Sequence, residues 1–313
     1  RVFALSPTLS PSGRGRLMMR LPDHLTPAEV KRNEPLAPWT SVRVGGAAEA
    51  LIKPASADSL QKVLSFASRE GIPLVILGGG ANTLVGDLGV PGITLKLASD
   101  YFPEEIASPR ITLNAGSAIA RIVTLMKQQQ LVGAEFLAGI PGTLGGATAM
   151  NAGTKNGECM SVVEAVELAT PDGIGWVTGL VYRYRHTDLP QGSVVTRIRF
   201  ALRSGDVAES ASKMEADLAY RKRTQPLSQP NFGSVFTNPS GHFAGSLIEK
   251  TGLKGHRIGN AQISTLHANW IVNLGGATAA DVTGLMAEAQ RRVLAETGVT
   301  LTPEVKRIGS FAQ

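Results

Sequence analysis

The sequence predicts an α+β protein of two or three domains, and three observations support this prediction. The chain has 313 residues, which is more than one hydrophobic core usually organises. Two units in which strands alternate with a helix are patterned over residues 48–77 and 93–126. Prolines in segment 224–230 end any helix there and mark the entry to another domain. A mixed segment and a last long helix follow.

The first unit begins with an apolar strand over residues 48–54 and ends with a second strand over residues 74–77. Between them, Ser56 is a typical helix N-cap, and Gly71 before Pro73 is a typical helix end. The helix has an apolar face made by Leu60, Val63, Leu64 and Ala67. The second strand leads into a glycine loop, which suits ligand binding at the carboxyl ends of strands.

The second unit contains strands over residues 93–97 and near residues 111–114, and a helix that starts at Ser117. The inward face of this helix is predicted to contain Ile119, Ile122, Val123 and Met126. A glycine-rich segment over residues 139–157 is expected to wrap over a ligand. Strands over residues 163–168 and 194–200 are expected to close the region.

The last part of the chain combines helices with a short mixed segment. A helix is predicted over residues 207–223, followed by α+β structure over residues 233–274. The final helix starts at Thr278, which has Asp281 three residues later, and ends before Gly298. Its buried face is predicted to contain Val282, Leu285, Met286, Ala289 and Val293.

Two glycine clusters are the strongest functional signal in the chain. Five glycines fall within residues 139–153, and Gly78, Gly79 and Gly80 form a second cluster. Glycine tolerates positive φ and leaves backbone N–H groups uncovered, so such loops can hold a pyrophosphate. Neither loop matches GxGxxG or GxxxxGK(S/T), and a doubly wound NAD domain is therefore not favoured. Together the loops indicate a large phosphate-bearing cofactor.

The charge distribution argues against a nucleic-acid-binding protein. The formal net charge is +6, but Arg1, Arg14, Arg16 and Arg20 supply four of these charges before any acidic residue appears. The remainder of the chain has no basic patch with interleaved aromatic residues. We expect the first 20 or so residues to be a disordered leader and natural translation to begin at Met18 or Met19.

The sequence does not indicate a membrane span, a disulfide or a metal site. No apolar run reaches the ~18 residues that a spanning helix needs. Cys159 is the single cysteine, which excludes an intrachain disulfide and an all-cysteine metal site. We expect a buried, unreactive thiol, with packing next to the cofactor as the alternative. No histidine, cysteine and aspartate spacing typical of zinc ligands occurs.

Six segments of the chain form a recognisable series. They are Thr-Ser-Val-Arg-Val-Gly-Gly at 40–46, Gly-Gly-Gly-Ala-Asn at 78–82, Ala-Gly-Ile-Pro-Gly-Thr at 138–143, Tyr-Arg at 184–185, Gly-Ser-Val-Phe-Thr-Asn-Pro at 233–239 and Pro-Glu-Val at 303–305. In this order they resemble the UDP-N-acetylenolpyruvoylglucosamine reductase (MurB) family. The similarity extends over roughly residues 33–309. It implies an α+β fold with a two-subdomain FAD-binding region of the para-cresol methylhydroxylase type and a smaller α+β substrate-binding domain.

The resemblance also implies a domain organisation. A leader would occupy residues 1–32, and the FAD-binding region residues 33–204, with subdomains over about 33–90 and 91–204. The substrate-binding domain would follow over residues 205–299. Residues 300–313 would return toward the FAD site.

The implied cofactor is FAD, with NADPH as co-substrate. Some flavoproteins of this type attach the flavin to a histidine just after the glycine loop, but this position is Ala81, so we expect noncovalent FAD. The implied FAD-binding residues are Val44, Gly45, Gly78, Gly79, Gly80, Ala81, Asn82, Gly139, Ile140, Pro141, Gly142, Thr143, Gly146, Asn151 and Gly153.

Three residues match the family's catalytic positions. Arg185 matches an arginine that binds the enolpyruvyl carboxylate, although Thr187 stands where the family usually has serine. Ser234 matches the proton donor. Glu304 would meet the substrate carboxylate from the far side, and we expect its pKa to be raised in the complex, because two ionised carboxylates repel each other. Without the resemblance, each of these residues would be assigned an ordinary structural or solvated role.

The implied substrate is a UDP-sugar enolpyruvyl ether, and its reduction would belong to peptidoglycan precursor synthesis. The implied substrate-binding residues are Tyr184, Arg223, Asn238, His267 and Asn269, with a structural role as the alternative for His267. The basic residues Arg221, Lys222, Arg223, Lys254, His256 and Arg257 would be solvated or hold the uridine diphosphate. Segments 181–200 and 233–274 are too short to contain the family's substrate-closing tyrosine loop, so the chain resembles the second, loop-lacking type of the family. We expect a cytoplasmic monomer without nucleic-acid or membrane partners.

Other functional classes stay open from the residues alone. A flavin oxidase of the same fold would use oxygen, and would not need Ser234 and Glu304 together. A non-catalytic flavin- or nucleotide-binding protein would bind ligand without turnover. Bound flavin colour separates these classes from a nucleic-acid binder.

Overall fold

The chain folds around three bodies of secondary structure. The structure, a computed structural model, describes residues 19–312. The predicted disordered leader lies outside the described residues, except for Met19 and Arg20. Met18, one of the two predicted translation starts, also lies outside them. Short 3₁₀ turns occur at Ala37–Trp39, Glu135–Leu137 and Cys159–Val162.

The first body is a four-stranded sheet covered by one helix. Its elements are β1 (Val30–Pro35), β2 (Ala47–Ile52), α1 (Ala57–Arg69), β3 (Leu74–Ile76), β4 (Thr83–Val85) and β5 (Val90–Leu95). The sheet order is β1-β2-β5-β3, and β5 runs parallel to both β2 and β3. Ser56 caps α1 by accepting the Ser59 N–H at 3.1 Å. The predicted strand–helix–strand unit is confirmed, and β1 begins inside the segment expected to be a leader.

Buried Glu29 fastens the chain just before β1. Its carboxylate accepts hydrogen bonds from the Ser59 hydroxyl at 2.6 Å and from the Ala55 N–H at 2.8 Å. It also accepts bonds from the N–H and hydroxyl of Thr26. Burial opposes ionisation, but these hydrogen bonds outweigh it and lower the pKa of Glu29 to about 2.

Replacing this carboxylate should change how stability depends on pH. A folded-state pKa of about 2, below the ordinary value of 4.5, means that Glu29 stabilises the fold above about pH 4.5 and loses this contribution as the pH falls toward 2. Glu29→Gln should therefore have a lower melting temperature than wild type at pH 7. At pH 3 the difference between the two melting temperatures should be smaller. Exposed Glu70→Gln is the matched control. A constant difference across this range would contradict the assignment.

The second body is built on a five-stranded antiparallel sheet of order β12-β11-β15-β7-β6. Its elements are β6 (Glu105–Ala107), β7 (Arg110–Asn114), α2 (Ala120–Gln128), β8 (Leu131–Val132), α3 (Leu144–Ala149), β9 (Gly153–Thr154), β10 (Gly157–Glu158), β11 (Val163–Thr170), β12 (Gly173–Val177), β13 (Tyr182–Arg183), β14 (His186–Thr187), β15 (Val194–Ala201) and β16 (Arg203–Ser204). The segment predicted only to wrap over a ligand contains α3. Thr143 caps this helix by accepting the Gly146 N–H at 3.4 Å.

The third body combines a small sheet with the two helices α5 and α6. Helix α4 (Val207–Thr224) leads into it, and its elements are β17 (Asn231–Ser234), α5 (Ala244–Lys250), β18 (Arg257–Ile258), β19 (Ala261–Ile263), β20 (Trp270–Asn273), α6 (Ala279–Thr297) and β21 (Lys306–Ile308). The sheet order is β17-β20-β19-β18, and the predicted capping box of Thr278 and Asp281 begins α6. However, α4 packs Met214 into the core of the second body. A boundary in segment 225–230 therefore describes the packing better than the predicted boundary at residue 204.

Direct bonds join the third body to the first. The Asp87 carboxylate accepts the N–H groups of Ala279 at 2.7 Å and Ala280 at 2.9 Å, so it binds the positive end of α6. Asn273 donates to the carbonyl of Val42 at 2.9 Å. Strand β21 pairs in parallel with β4, which returns the C-terminal segment to the glycine loop.

Neither a membrane span nor a metal cluster is found in the described chain. Across residues 19–312, no helix combines the length and apolar character needed to cross a bilayer. The same residues contain no group of three or more histidine, cysteine, aspartate or glutamate side chains that could hold a metal ion.

Candidate active site

The three bodies meet at a cavity of about 1120 Å³. Both glycine loops line it, together with Arg185, Ser234 and Glu304. The cavity slightly exceeds the range typical of small-molecule sites, 300–1,000 Å³. Arg185 and Glu304, which are 119 positions apart, therefore meet at one site.

The two glycine loops touch each other through their backbones. A Cβ added to Gly79 would lie 2.6 Å from the Cα of Gly142, and one added to Gly78 would lie 2.8 Å from the Thr143 hydroxyl oxygen. Gly142 has a φ of +112°, which side-chain-bearing residues rarely adopt. The contact thus requires glycine, and it leaves bare backbone at the cavity wall.

A tight hairpin holds Arg185 in the cavity. Strands β13 and β14 pair on either side of Tyr184 and Arg185, and Arg185 has a φ of +57°. Its Nε donates to Glu304 Oε1 at 3.0 Å, and its Nη2 donates to the carbonyl of Gly153 at 3.0 Å. Since a left-handed conformation is costly for arginine, the surrounding contacts must hold this side chain in place.

Glu304 is the partly buried partner of Arg185. Its side chain is 12% exposed, and its backbone N–H donates to the carbonyl of Val235 at 2.8 Å. Burial raises the pKa of Glu304, although the charges of Arg185 and Lys306 act in the opposite direction. The pKa of Glu304 is thus raised even without substrate, and the main cause is desolvation of its carboxyl group.

Ser234 lies on the cavity wall at the end of β17, where it pairs with Trp270 of β20. The turn after it is held by buried Asn269, whose side chain accepts the Phe236 N–H at 3.0 Å and donates to the Phe236 carbonyl at 2.8 Å. The Val235 N–H donates to the Asn269 carbonyl at 2.9 Å. Three bonds to one residue therefore hold the turn that follows Ser234.

Asn269→Ala should destabilise the protein. It removes both partners of the buried Phe236 peptide groups, and each unsatisfied group costs about 1–3 kcal/mol. Urea unfolding should therefore show a free energy of unfolding that is lower by about 1–3 kcal/mol for each unsatisfied group. Unchanged stability with a raised KM for substrate would show instead that Asn269 contacts the substrate.

Twelve of the predicted cofactor residues line the cavity, and three do not. Val44 is buried in the core of the third body, and a Cβ on Gly45 would meet Val85. Fully buried Asn151 donates to the carbonyl of Arg183 at 3.1 Å and accepts the Met160 N–H at 3.0 Å. It thus supports the Arg185 hairpin from behind. The lining set is Gly78, Gly79, Gly80, Ala81, Asn82, Gly139, Ile140, Pro141, Gly142, Thr143, Gly146 and Gly153.

The five predicted substrate residues lie outside the cavity wall in the described chain. The ring of Tyr184 lies under the Arg185 guanidinium, 4.9 Å from it, and Asn238 accepts the Ala244 N–H at the start of α5. Burial and the charge of Lys254 lower the pKa of His267, whose Nδ1 accepts the Asn269 N–H. Arg223 stacks on Tyr220 at 5.8 Å. In this conformation, these contacts are structural.

Of the basic residues 221–223 that the sequence offered for the uridine diphosphate, Arg221 lines the cavity, whereas Arg223, the predicted substrate-binding residue, does not. Its Nη1 donates to the Ala138 carbonyl at 3.3 Å, and its Nε donates to Gln225 Oε1 at 3.0 Å. Burial lowers the pKa of Arg221, although the charge of Asp217 opposes this shift. Helical periodicity could have indicated that Arg221 faces inward, because it lies two turns after buried Met214 on the same face of α4.

Cys159 is buried, as the sequence predicts. Burial raises the pKa of its thiol to about 12, and the nearby Thr148 hydroxyl offsets this only in part. A thiol that stays protonated is a poor nucleophile, so Cys159 is a packing residue.

Two family models match the chain. Residues 48–178 match a FAD-binding domain, and residues 225–308 match the C-terminal domain of UDP-N-acetylenolpyruvoylglucosamine reductase. The second match begins at the proline-containing segment after α4, which agrees with the boundary that the packing indicates.

Relatives match along almost the whole chain. The UDP-N-acetylenolpyruvoylglucosamine reductase of Myxococcus xanthus (strain DK1622) is 65% identical over 289 residues, which are 90% of this chain and 93% of that protein. The enzyme of the same name from Anaeromyxobacter sp. (strain Fw109-5) is 53% identical, over 90% of each chain.

The crystal structure of UDP-N-acetylenolpyruvylglucosamine reductase (MurB) from Thermus caldophilus has a similar fold. It matches with a TM-score of 0.78 and 36% sequence identity, over 89% of this chain and 98% of that chain. The predicted α+β fold with an FAD-binding region is confirmed. The chain belongs to the UDP-N-acetylenolpyruvoylglucosamine reductase family.

Proposed function

We propose that this protein uses FAD and NADPH to reduce the enolpyruvyl ether of UDP-N-acetylglucosamine to UDP-N-acetylmuramate, a step of peptidoglycan precursor synthesis. One observation carries the proposal: the partly buried Arg185–Glu304 ion pair shares a cavity with Ser234 and with both glycine loops. The names of the family relatives support the same substrate.

The cavity fits a flavin dinucleotide. The bare backbone of Gly78–Gly80 and Gly142 permits the close approach that a pyrophosphate requires, and Ala81 offers no side chain for covalent attachment. FAD, when bound, supplies the transfer of reducing equivalents from NADPH to the substrate's C3. The protein supplies position, charge and the proton.

Arg185 and Glu304 would bind and stabilise the reacting carboxylate. Negative charge is delocalised onto this carboxylate as the double bond is reduced, and a guanidinium that is already in place stabilises it without reorganisation. Because burial raises the pKa of Glu304, this group can be protonated beside the substrate carboxylate. It would then donate a hydrogen bond where an ionised carboxylate would repel.

Ser234 would donate the proton to C2. A serine hydroxyl has a pKa far above neutrality, so it donates only to a very basic carbanion and only when the hydrogen bond is aligned. The three hydrogen bonds between Asn269 and residues 235–236 hold the turn next to Ser234, so that its backbone is already in place.

The nucleotide phosphates of the substrate would lie near Arg221, Lys155 and Tyr220. All three line the cavity, and the Lys155 ammonium lies 5.5 Å from the centre of the Tyr220 ring. Tyr184, Arg223, Asn238, His267 and Asn269 would then act mainly by supporting the wall. We further propose a cytoplasmic monomer, with the FAD-binding and substrate-binding domains meeting at residues 225–230.

Spectra and turnover of the purified protein test the proposal. We expect a flavin spectrum, release of intact FAD by acid, and NADPH oxidation that requires the enolpyruvyl ether and yields a product heavier by two hydrogens. A flavin-replete preparation that consumes oxygen and ignores the ether would identify a flavin oxidase. A preparation that takes up no flavin would reject both enzymes.

A further inference from the structure

Lys96 reaches the triple-glycine loop from outside the cavity. It follows β5, is partly buried and does not belong to the residues that line the cavity. Its Nζ donates a hydrogen bond of 2.6 Å to the carbonyl oxygen of Gly78. A charged donor thus contacts the backbone of the loop from behind.

The bond to Gly78 determines which way the next peptide group faces. In a trans peptide, the C=O and the following N–H point in opposite directions. Because the Gly78 carbonyl points back toward Lys96, the Gly79 N–H points away from Lys96, on the cavity side of the loop. Within residues 19–312 this N–H donates to no protein acceptor, so it is available to a ligand.

Trp39 supports the same loop at two points. Its ring lies 5.5 Å from the Lys96 ammonium and 4.4 Å from the Lys53 ammonium, and its Nε1 donates to Glu34 at 3.0 Å. Its carbonyl oxygen occupies the place where a Cβ on Gly80 would lie. The loop is therefore held at Gly78 by the hydrogen bond from Lys96, and the main chain of Trp39 packs against it at Gly80.

The position of Lys96 is electrostatically costly. Burial, followed by the charge of Lys53, lowers the pKa of Lys96. The charged hydrogen bond to Gly78 and the face of the Trp39 ring offset this cost. A charged donor at the carbonyl also polarises the peptide and strengthens its N–H as a donor.

We propose that Lys96 is a positioning residue of the cofactor site, which fixes the Gly78–Gly79 peptide so that its N–H faces a phosphate of FAD. The inference rests on the proposed function insofar as FAD is the ligand. Lys96 acts through the Gly78 carbonyl and does not itself touch the cofactor.

FAD titration of the apoprotein, followed by flavin fluorescence, tests the role of Lys96. Lys96→Met should raise the Kd for FAD roughly 10- to 100-fold, the size expected for loss of a charged hydrogen bond. The melting temperature of the apoprotein should change little, and kcat at saturating FAD should stay near the wild-type value. Lys96→Arg keeps the charge and a donor, so it should recover part of the affinity.

Lys53→Met is the matched control. Lys53 stacks on the same Trp39 ring, but in the described chain its ammonium makes no hydrogen bond to the loop. Its Kd for FAD should equal that of wild type. Wild-type affinity for FAD in Lys96→Met, or an equal loss of affinity in Lys53→Met, would overturn this inference and leave the proposed function intact. Wild-type protein that takes up no FAD would reject the proposed function and this inference with it.

Discussion

Ser234→Ala should leave flavin reduction by NADPH intact and slow the second half-reaction ~10²–10⁴-fold, the usual cost of losing an aligned proton donor. Reduction of the flavin requires no proton on the substrate, whereas reduction of the enolpyruvyl double bond must be completed at C2. A stopped-flow experiment should therefore show normal bleaching by NADPH and very slow recovery of flavin absorbance after addition of the enolpyruvyl ether.

The control for this variant is Ser240→Ala, which removes an exposed hydroxyl from the same domain and should behave as wild type in both half-reactions. If Ser234→Ala recovers its flavin absorbance at the wild-type rate, Ser234 is a structural turn residue. The proton would then come from Glu304 or from water.

Gly79→Val should yield protein that folds but retains little flavin. Even a single Cβ at this position would lie 2.6 Å from the Cα of Gly142 and 3.1 Å from the N of Thr143. Both neighbours are backbone atoms of the second glycine loop, so the two loops must separate. Gly142→Val should have the same effect, because a branched residue does not tolerate a φ of +112°.

Gly175 provides the matched control for these substitutions. It lies in β12, and a Cβ added there has no neighbour within 4 Å, so Gly175→Ala should retain flavin. The flavin-to-protein absorbance ratio of purified variants measures the effect. Stoichiometric flavin in both Gly79→Val and Gly142→Val would refute the assignment of the two loops.

Local patterns predicted the regular elements well. Ser56 and Thr278 cap helices where expected, because caps and apolar faces are encoded within a few neighbouring residues. Helix α3 was missed because Gly145 and Gly146 lower helix propensity, although Thr143 was a usable cap signal. Strand β1 was missed because its sequence, Val-Lys-Arg-Asn-Glu-Pro, is charged and mostly exposed at the edge of the sheet.

The site depends on contacts that no local pattern contains. Arg185 and Glu304 are 119 residues apart, and their separate segments resemble ordinary surface sequence, so only the family resemblance could join them. The same resemblance could not distinguish residues that line the cavity from those that support it. Asn151 and Asn269 occupy family-like segments, yet their side chains bind backbone behind the wall.

An anaerobic double-mixing experiment tests the central claim most directly. The wild-type protein is first mixed with one equivalent of NADPH and then with the enolpyruvyl ether of UDP-N-acetylglucosamine, while flavin absorbance is recorded. We predict bleaching in the first step, full recovery in the second without oxygen, and one UDP-N-acetylmuramate for each NADPH consumed. Absorbance that recovers only when oxygen is admitted, with the ether unchanged, would contradict the account.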